Sequence, residues 1–229
     1  RFIELGWSQK ALLREILTSA TYRQDSAIDP ALLQRDPNNE LFARGARFRL
    51  DAETIRDQAL AIGGLLDPTV HGPPVFPPQP EGTWQVVYNG GSWTESPAGD
   101  RHRRGLYTFW RRTAPYPSMV TFDAPSREFC VSRRIRTNTP LQALVVLNDP
   151  VYLEAAGGLA GLMMTAADDD DQRIAAGFRR ATGRDAIAME LSTLRDLLAD
   201  ARERFASNPD QAKTFLASCR TPESDDPSE

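Results

Sequence analysis

Apolar side chains recur every three to four residues in several stretches of the chain, a spacing that predicts amphipathic helices. One such stretch covers about residues 8–19, with Ser8 as a suitable N-cap, and the clearest one in the first half covers about residues 52–66. The apolar face of this second helix would consist of Ile55, Ala59, Ile62 and Leu66. Arg56 lies off that face, three residues after Glu53, and is close enough to pair with it.

Aspartate followed by proline marks further helix starts. The carboxylate accepts the free N–H groups of a first turn, and proline has no N–H that would need a partner there. Asp29-Pro30 and Asp36-Pro37 therefore predict two short helices, the second of which should end near Gly45.

The second half of the chain contains four more predicted helices. The capping box Thr139-Pro140-Leu141-Gln142 begins a helix to about residue 147, and Asp149-Pro150 begins one over about 151–165. Asp185 can cap a long helix to about Phe205, and Asn208-Pro209 begins a shorter one.

The middle of the chain has short patterns that are typical of strands. Residues 67–82 contain six prolines and two glycines, which predicts an irregular connection. Asn89-Gly90 is typical of a hairpin turn. Short strands are predicted at 83–88, 92–94, 106–110, 120–122 and 129–131.

Together these elements predict a mainly α fold (α+β), a helical domain with a small irregular β-containing insertion at about 83–131. The predicted segments are 1–66 (N-terminal helices), 67–136 (proline-rich and Arg/aromatic insertion), 137–218 (C-terminal helices) and 219–229 (disordered tail). They are expected to form one structural domain. The chain begins at Arg1 without a methionine, and we interpret it as part of a larger protein.

Charge is distributed unevenly along the chain. The formal net charge is −4, from 27 basic and 31 acidic side chains, and no apolar run is long enough to span a bilayer. Residues 1–150 carry 18 basic and 16 acidic side chains, whereas residues 151–229 carry 9 and 15. The aspartates at 168–171 are predicted to form a solvated loop, because they lack the spacing and glycine of a calcium loop.

The stretch from Arg101 to Arg136 contains nine arginines and only two acids. Aromatic residues are interleaved with them, among them Tyr107, Phe109, Trp110, Tyr116 and Phe122. Guanidinium groups stack on aromatic rings and pair with carboxylates through two parallel hydrogen bonds. The stretch is therefore predicted to be partly desolvated, in a polar core or in an anion-binding cleft.

Three interpretations of these arginines remain open. The first is a structural ion-pair network, since buried charges need partners. The second is an anion pocket for a carboxylated or sulfated sugar, a haem propionate or a phosphate, with Trp110 or Tyr107 as a stacking platform. The third is a protein docking surface. The arginines of the network would be Arg111, Arg112, Arg127, Arg133 and Arg134, and its acids Asp51, Glu53, Asp57, Asp123 and Asp149.

The best single binding locus is the start of the helix after Arg136. There Thr137 and Asn138, close to Arg133 and Arg134, precede a helix N-terminus that favours anions. Nucleic acid is a weaker candidate, because the whole chain is acidic and only 2 of its 27 basic residues are lysines.

Side chains for catalysis are few. His71 and His102 are the only histidines, no Gly-x-Ser-x-Gly motif is present, and no metal-binding spacing is found. Cys130 is predicted to be a small buried hydrophobe, although the neighbouring arginines could lower the pKa of its thiol. The acids Asp51, Glu53 and Asp57 lie close to arginines, which favours ion pairing over a raised pKa.

Several long motifs resemble one known family. They are YRQDS at 22–26, DPNNELFARGARFRLDAETIRDQALAIGGLL at 36–66, GPPVFPPQPEGTW at 72–84 and GLYTFWRRTAPYPSMVTFDAPSREFCVSRRIRTNTPLQALVVLNDPVYLEAA at 105–156. The chain resembles, over about residues 8–165, the C-terminal domain of unknown function of large planctomycete-type proteins that also carry a c-type cytochrome domain.

The resemblance implies a periplasmic or extracytoplasmic parent protein with electron-transfer connections, in which haem c is held elsewhere. This chain has no Cys-x-x-Cys-His motif and is expected to bind no cofactor itself. We expect an accessory or scaffold domain that binds neighbouring domains of the parent chain or an anionic polysaccharide. The alternative is a catalytic domain, either a haem-linked oxidoreductase or a polymer-degrading hydrolase.

Overall fold

The computed structural model describes residues 1–80, 82, 92–97 and 99–219. These residues form nine α-helices, and the prediction of a mainly helical fold is confirmed. The helices are α1 (Gln9–Thr18), α2 (Pro30–Arg35), α3 (Ala52–Ile62), α4 (Pro117–Thr121), α5 (Pro140–Asn148), α6 (Pro150–Ala166), α7 (Asp170–Thr182), α8 (Ala188–Ser207) and α9 (Pro209–Ser218). Short 3-10 helices cover Asp100–His102 and Gly105–Tyr107. Within the described ranges, no helix combines the length and the apolar composition that a bilayer crossing requires.

The chain divides into two compact units, Arg1–Arg49 and Leu50–Glu229. In the first unit, Ser8 caps α1 and Asp29 caps α2, as predicted. The prediction of a helix after Asp36-Pro37 is wrong. The Asp36 carboxylate accepts the N–H groups of Glu40 and Leu41 and so closes a loop in place of a helical turn.

In the second unit, α3 packs closely against α6. A Cβ atom on Gly63 would lie 2.5 Å from the Ala155 carbonyl oxygen, and one on Gly158 would lie 2.4 Å from the Gly63 oxygen. Glycine is therefore required at both positions for this approach. Beside the contact, Leu60, Val151 and Ala155 form a small buried cluster.

A second buried cluster lies between α3, α4 and α6. It consists of Ala52, Tyr116, Met119, Phe122 and Tyr152. The Tyr116 hydroxyl, which is fully buried, donates to the Pro78 carbonyl at 2.5 Å and so ties the proline-rich connection to α4. Trp93 also packs against this cluster and donates to the Pro77 carbonyl at 2.8 Å. The proline-rich segment is thus anchored at two successive carbonyls.

The predicted strands at 92–94, 106–110, 120–122 and 129–131 are absent from the structure. Residues 106–107 belong to a 3-10 helix, and Pro117 begins α4, which takes in residues 120–121. Isolated parallel bridges, Asp67 to Arg103 and Val75 to Thr108, are the β contacts of the described residues. The predicted strand at 83–88 and the turn at Asn89-Gly90 lie outside them.

The C-terminal helices follow the predicted caps in part. Helix α7 was not predicted, although Asp169 caps it and Gly183, with φ +75°, ends it. The aspartates predicted to form a solvated loop begin this helix, where Asp170 pairs with Arg202 and Asp171 with Arg195. Helix α8 begins at Ala188 and not at Asp185, and the Glu190 carboxylate accepts the Ile187 N–H. Most of the predicted tail, 220–229, lies outside the described residues.

Candidate functional site

Four consecutive residues, Arg133, Arg134, Ile135 and Arg136, line an open groove of about 340 Å³. The segment lies between α4 and α5 and is fixed at its C-terminal end by Thr137. The backbone N–H of Thr137 donates to Asp123 at 2.8 Å, and its hydroxyl accepts a hydrogen bond from the Gln142 amide at 3.1 Å. The groove therefore coincides with the locus that the sequence predicted just before α5.

One wall of the groove is neutralised by acids at the start of α3. Arg134 donates two hydrogen bonds to Glu53, at 2.6 and 3.1 Å, and lies 3.8 Å from Asp51. Asp51 also lies 3.6 Å from Arg136. Burial raises the pKa of Glu53, but the hydrogen bond from Arg134 and nearby positive charge outweigh it and hold the pKa below its ordinary value. Glu53 is thus ionised at neutral pH and holds Arg134 in place.

Arg133 differs from its neighbours. Its side chain is exposed, and among the described residues no carboxylate lies within ion-pairing distance of it. The adjacent Ile135 is 76% exposed. The groove therefore offers one guanidinium without an internal counter-ion beside an apolar side chain in water. An anionic group can bind there without first displacing a protein carboxylate.

Trp110, predicted as a stacking platform, is already occupied. Its ring packs against the buried cluster of Tyr116 and its neighbours, and the guanidinium carbon of Arg127 lies 5.1 Å from its centre. The indole N–H donates to the Ser126 carbonyl at 3.2 Å. Arg127 has φ +63°, a left-handed conformation that costs energy for a residue with a side chain. Trp110 and Arg127 thus hold each other in the loop before the groove.

The other predicted residues are dispersed. Arg112 and Asn138 are exposed, and Arg111 is half-buried. Asp57 accepts the backbone N–H of Gly105 at 2.5 Å and lies 3.5 Å from Arg104. Asp149 caps α6 by accepting the Val151 N–H at 3.0 Å.

Of the predicted ion-pair network, the structure joins Asp51 and Glu53 to Arg134. Arg112, Arg127 and Arg133 are exposed to water, so the prediction that they lie in a desolvated region is wrong.

The buried polar cluster of the second unit was missed by sequence reasoning. Arg56 is 1% exposed and donates to the carbonyl oxygens of Arg101 and Arg103, both at 2.7 Å. Arg103 donates to the carbonyls of the proline-rich connection, at Pro73, Thr69 and His71, and covers the ring of Tyr107 at 4.0 Å. Arg56 was predicted to pair with Glu53, but it lies on the buried face of α3.

Glu154 on α6 supplies the carboxylate of this cluster. It forms an ion pair with Arg101, and its second oxygen lies 3.1 Å from His102 Nε2. Glu95 approaches the other side of Arg101 at 3.4 Å. An arginine and a histidine adjacent in sequence thus meet one buried carboxylate. The only signal in the sequence is a glutamate that interrupts an apolar helix, which sequence analysis did not use.

The side chains that could act chemically lie in different environments. His102 is buried against Glu154, and His71 is exposed, with its backbone N–H donating to the Tyr107 hydroxyl at 2.7 Å. Cys130 is exposed, so its predicted burial is wrong. No group of three or more His, Cys, Asp and Glu residues that could hold a metal ion occurs within the described ranges.

Fold and site together describe a mainly helical chain with an arginine-lined surface groove. The chain belongs to the PSD1 family, described as a protein of unknown function (DUF1553), whose sequence profile matches residues 1–198. The match extends beyond the 8–165 covered by the motif resemblance and includes α7 and much of α8. Neither the curated proteins nor the solved structures contain a significant match to the chain.

Proposed function

We propose that the chain is an accessory, non-catalytic domain that binds an anionic group of a polymer or of a partner domain in the Arg133–Arg136 groove. The observation that carries the proposal is the exposed Arg133 guanidinium, which has no carboxylate partner in the described part of the chain and lies in a groove whose other arginines are held by Asp51 and Glu53. An exposed guanidinium without an internal counter-ion can form charge-assisted hydrogen bonds to a carboxylate, and no protein carboxylate has to be displaced first.

The alternative catalytic role has less support. A catalytic pocket would direct charged groups of the predicted arginines toward substrate without a protein carboxylate. Arg112 is exposed without an ion-pair partner among the described residues, but it does not line the groove. Arg134 is paired with Glu53, and Arg127 covers Trp110. His102, which lies beside Glu154, is buried.

The cellular context is proposed from the family resemblance. We propose that the domain belongs to an exported, periplasmic or extracytoplasmic protein that carries haem c in another domain. In that context the groove would hold a neighbouring domain of the parent chain, or an anionic polymer, close to the electron-transfer domain.

Charge reversal at Arg133 tests the proposal, with the same change at Arg112 as the matched control. Both arginines are exposed and neither has an ion-pair partner among the described residues. Binding of fluorescein-labelled oligogalacturonate and of a labelled oligoglutamate peptide is measured by anisotropy at low salt.

We expect Arg133→Glu to weaken binding by about tenfold or more, since a charged hydrogen bond is replaced by repulsion. Arg112→Glu should change binding less than twofold, and both melting temperatures should stay at the wild-type value. The proposal fails if wild-type protein binds neither probe, or if the two variants weaken binding equally.

A further inference from the structure

The groove that we propose as an anion site also exposes one apolar side chain, Ile135, which bears on the class of its ligand. We infer that it takes a short acidic peptide segment that carries an apolar side chain, and thus a partner protein or domain, in preference to a sugar polymer. The inference rests on the proposed function, because it names the ligand class of that same groove.

The charge of the groove fits a ligand with few carboxylates. Glu53 neutralises Arg134, and Asp51 lies within 4 Å of both Arg134 and Arg136. This leaves Arg133 as the lining arginine without a carboxylate partner in the described ranges. A densely charged polyanion would place further negative charge against Asp51 and Glu53, whereas a peptide with one or two acidic residues would not.

The apolar part of the groove fits a peptide better than a sugar. Ile135 lies between two arginines and is 76% exposed. The bond between Gln142 and Thr137 holds this segment against the first turn of α5, a helix that exposes Leu141 and Leu144. Covering such side chains with an apolar group stabilises a complex, and burial by sugar hydroxyls does so far less.

Sugar recognition also lacks its usual aromatic surface here. The Trp110 ring packs against the buried cluster, and the guanidinium carbon of Arg127 lies 5.1 Å from its centre. Among the residues that line the groove, none is aromatic. A carboxylated sugar would therefore gain only the contact to Arg133, while a peptide would gain that contact and the burial of Ile135.

Three labelled probes, each with two carboxylates, separate these cases: a 12-residue amidated peptide with two glutamates and with leucines in a serine background, the same peptide with serine for leucine, and an oligogalacturonate of two sugar units. The variants are Ile135→Ser, Arg133→Gln and, as a matched control, Ile187→Ser, which replaces another exposed isoleucine. Thermal melting confirms that each variant is folded.

We expect wild-type protein to bind the leucine peptide about tenfold more tightly than the other two probes. Ile135→Ser should remove that preference without changing the binding of the serine peptide or oligogalacturonate, and Ile187→Ser should leave it intact. Arg133→Gln should weaken all three. Equal binding of the leucine peptide and oligogalacturonate, or no effect of Ile135→Ser, overturns the inference but not the proposed function. The proposed function fails separately if Arg133→Gln weakens none of the probes.

Discussion

Glu154 and Arg101 are separated by 52 intervening residues and form a buried ion pair, with their side chains 4% and 6% exposed. The pair joins α6 to the 3-10 helix at Asp100–His102. A buried pair costs desolvation when it forms, but removal of one partner leaves an unpaired charge in the interior. The pair therefore determines which single substitutions the domain tolerates.

Removing one member of this pair should be strongly destabilising. We expect Arg101→Met or Glu154→Met to lower the free energy of unfolding by about 3 to 5 kcal/mol. The double variant should lose less stability than the two single variants added together, because neither buried charge of the pair remains and Glu95 is half-exposed to water. Urea unfolding followed by circular dichroism measures all three. Single variants within about 1 kcal/mol of wild type would contradict a buried ion pair.

Arg56 should tolerate neither loss nor shortening of its guanidinium. It donates to two carbonyl oxygens from a position that is 1% exposed, and a lysine cannot direct two donors in the same fork. We expect Arg56→Lys to lower the free energy of unfolding by about 2 kcal/mol or more. Arg112→Lys, at an exposed position, serves as the control and should stay within about 0.5 kcal/mol of wild type. Equal stability of the two variants would exclude the proposed role of Arg56.

The close approach of α3 and α6 predicts opposite effects of the same substitution at two glycines of one helix. Gly158→Ala would place Cβ 2.4 Å from the Gly63 carbonyl oxygen, whereas nothing lies within 4 Å of a Cβ at Gly161. We expect Gly158→Ala to destabilise by about 2 kcal/mol or more, because backbone must move. Gly161→Ala should stabilise by up to about 1 kcal/mol through helix propensity. Thermal melting of the two variants tests both predictions. A stabilising effect of Gly158→Ala would contradict the close contact between α3 and α6.

The raised pKa of Asp149 predicts how the free energy of unfolding depends on pH. Burial raises its pKa to about 6, against the lowering effects of the Val151 N–H and the Arg56 charge. The folded state therefore binds the proton more tightly than the unfolded state, whose pKa is near 3.9. The contribution of this group to stability rises as pH falls from above 6 toward 4, by at most about 3 kcal/mol.

Asp149→Asn removes this titration and keeps a side-chain oxygen for the Val151 N–H. We expect the free energy of unfolding of Asp149→Asn, relative to wild type, to fall as pH is lowered from 7.5 to 4.5. Urea unfolding at several pH values gives this difference. A difference that does not change with pH would show that Asp149 titrates alike in the folded and unfolded states.

Local signals in the sequence predicted the helices well, because a cap depends on two or three neighbouring residues. Ser8, Asp29 and Asp149 each cap the helix that was predicted to begin there. The helix predicted after Asp36 does not form, because the Asp36 carboxylate accepts N–H groups four and five residues later. The same Asp-Pro dipeptide permits this loop geometry. The prediction of short strands was wrong because aromatic and β-branched residues also pack in irregular segments when a buried cluster holds them.

The sequence predicted a binding locus at a place where the structure has a groove, and binding there stays a prediction. The pairing of the arginines inside the groove was not predicted. The cluster of arginines before a capped helix indicated the locus at Arg133 and Arg134. Which arginine is paired depends on α3, about 80 residues earlier, and no pattern in the sequence distinguishes Arg134 from Arg133. Ile135 was overlooked because one apolar residue among charges carries no periodic signal.

The two oxygens that accept hydrogen bonds from Arg56 affect which sequence changes the family can tolerate. Both are main-chain oxygens, which every amino acid supplies, so the side chains at 101 and 103 can change without depriving Arg56 of its partners. Arg56 should therefore be retained across relatives while no second position changes in step with it. A search for paired substitutions would therefore not detect this contact between α3 and residues 101–103. Insertion or deletion of a residue near 101–103, which shifts the oxygens themselves, is the change that evolution should avoid there.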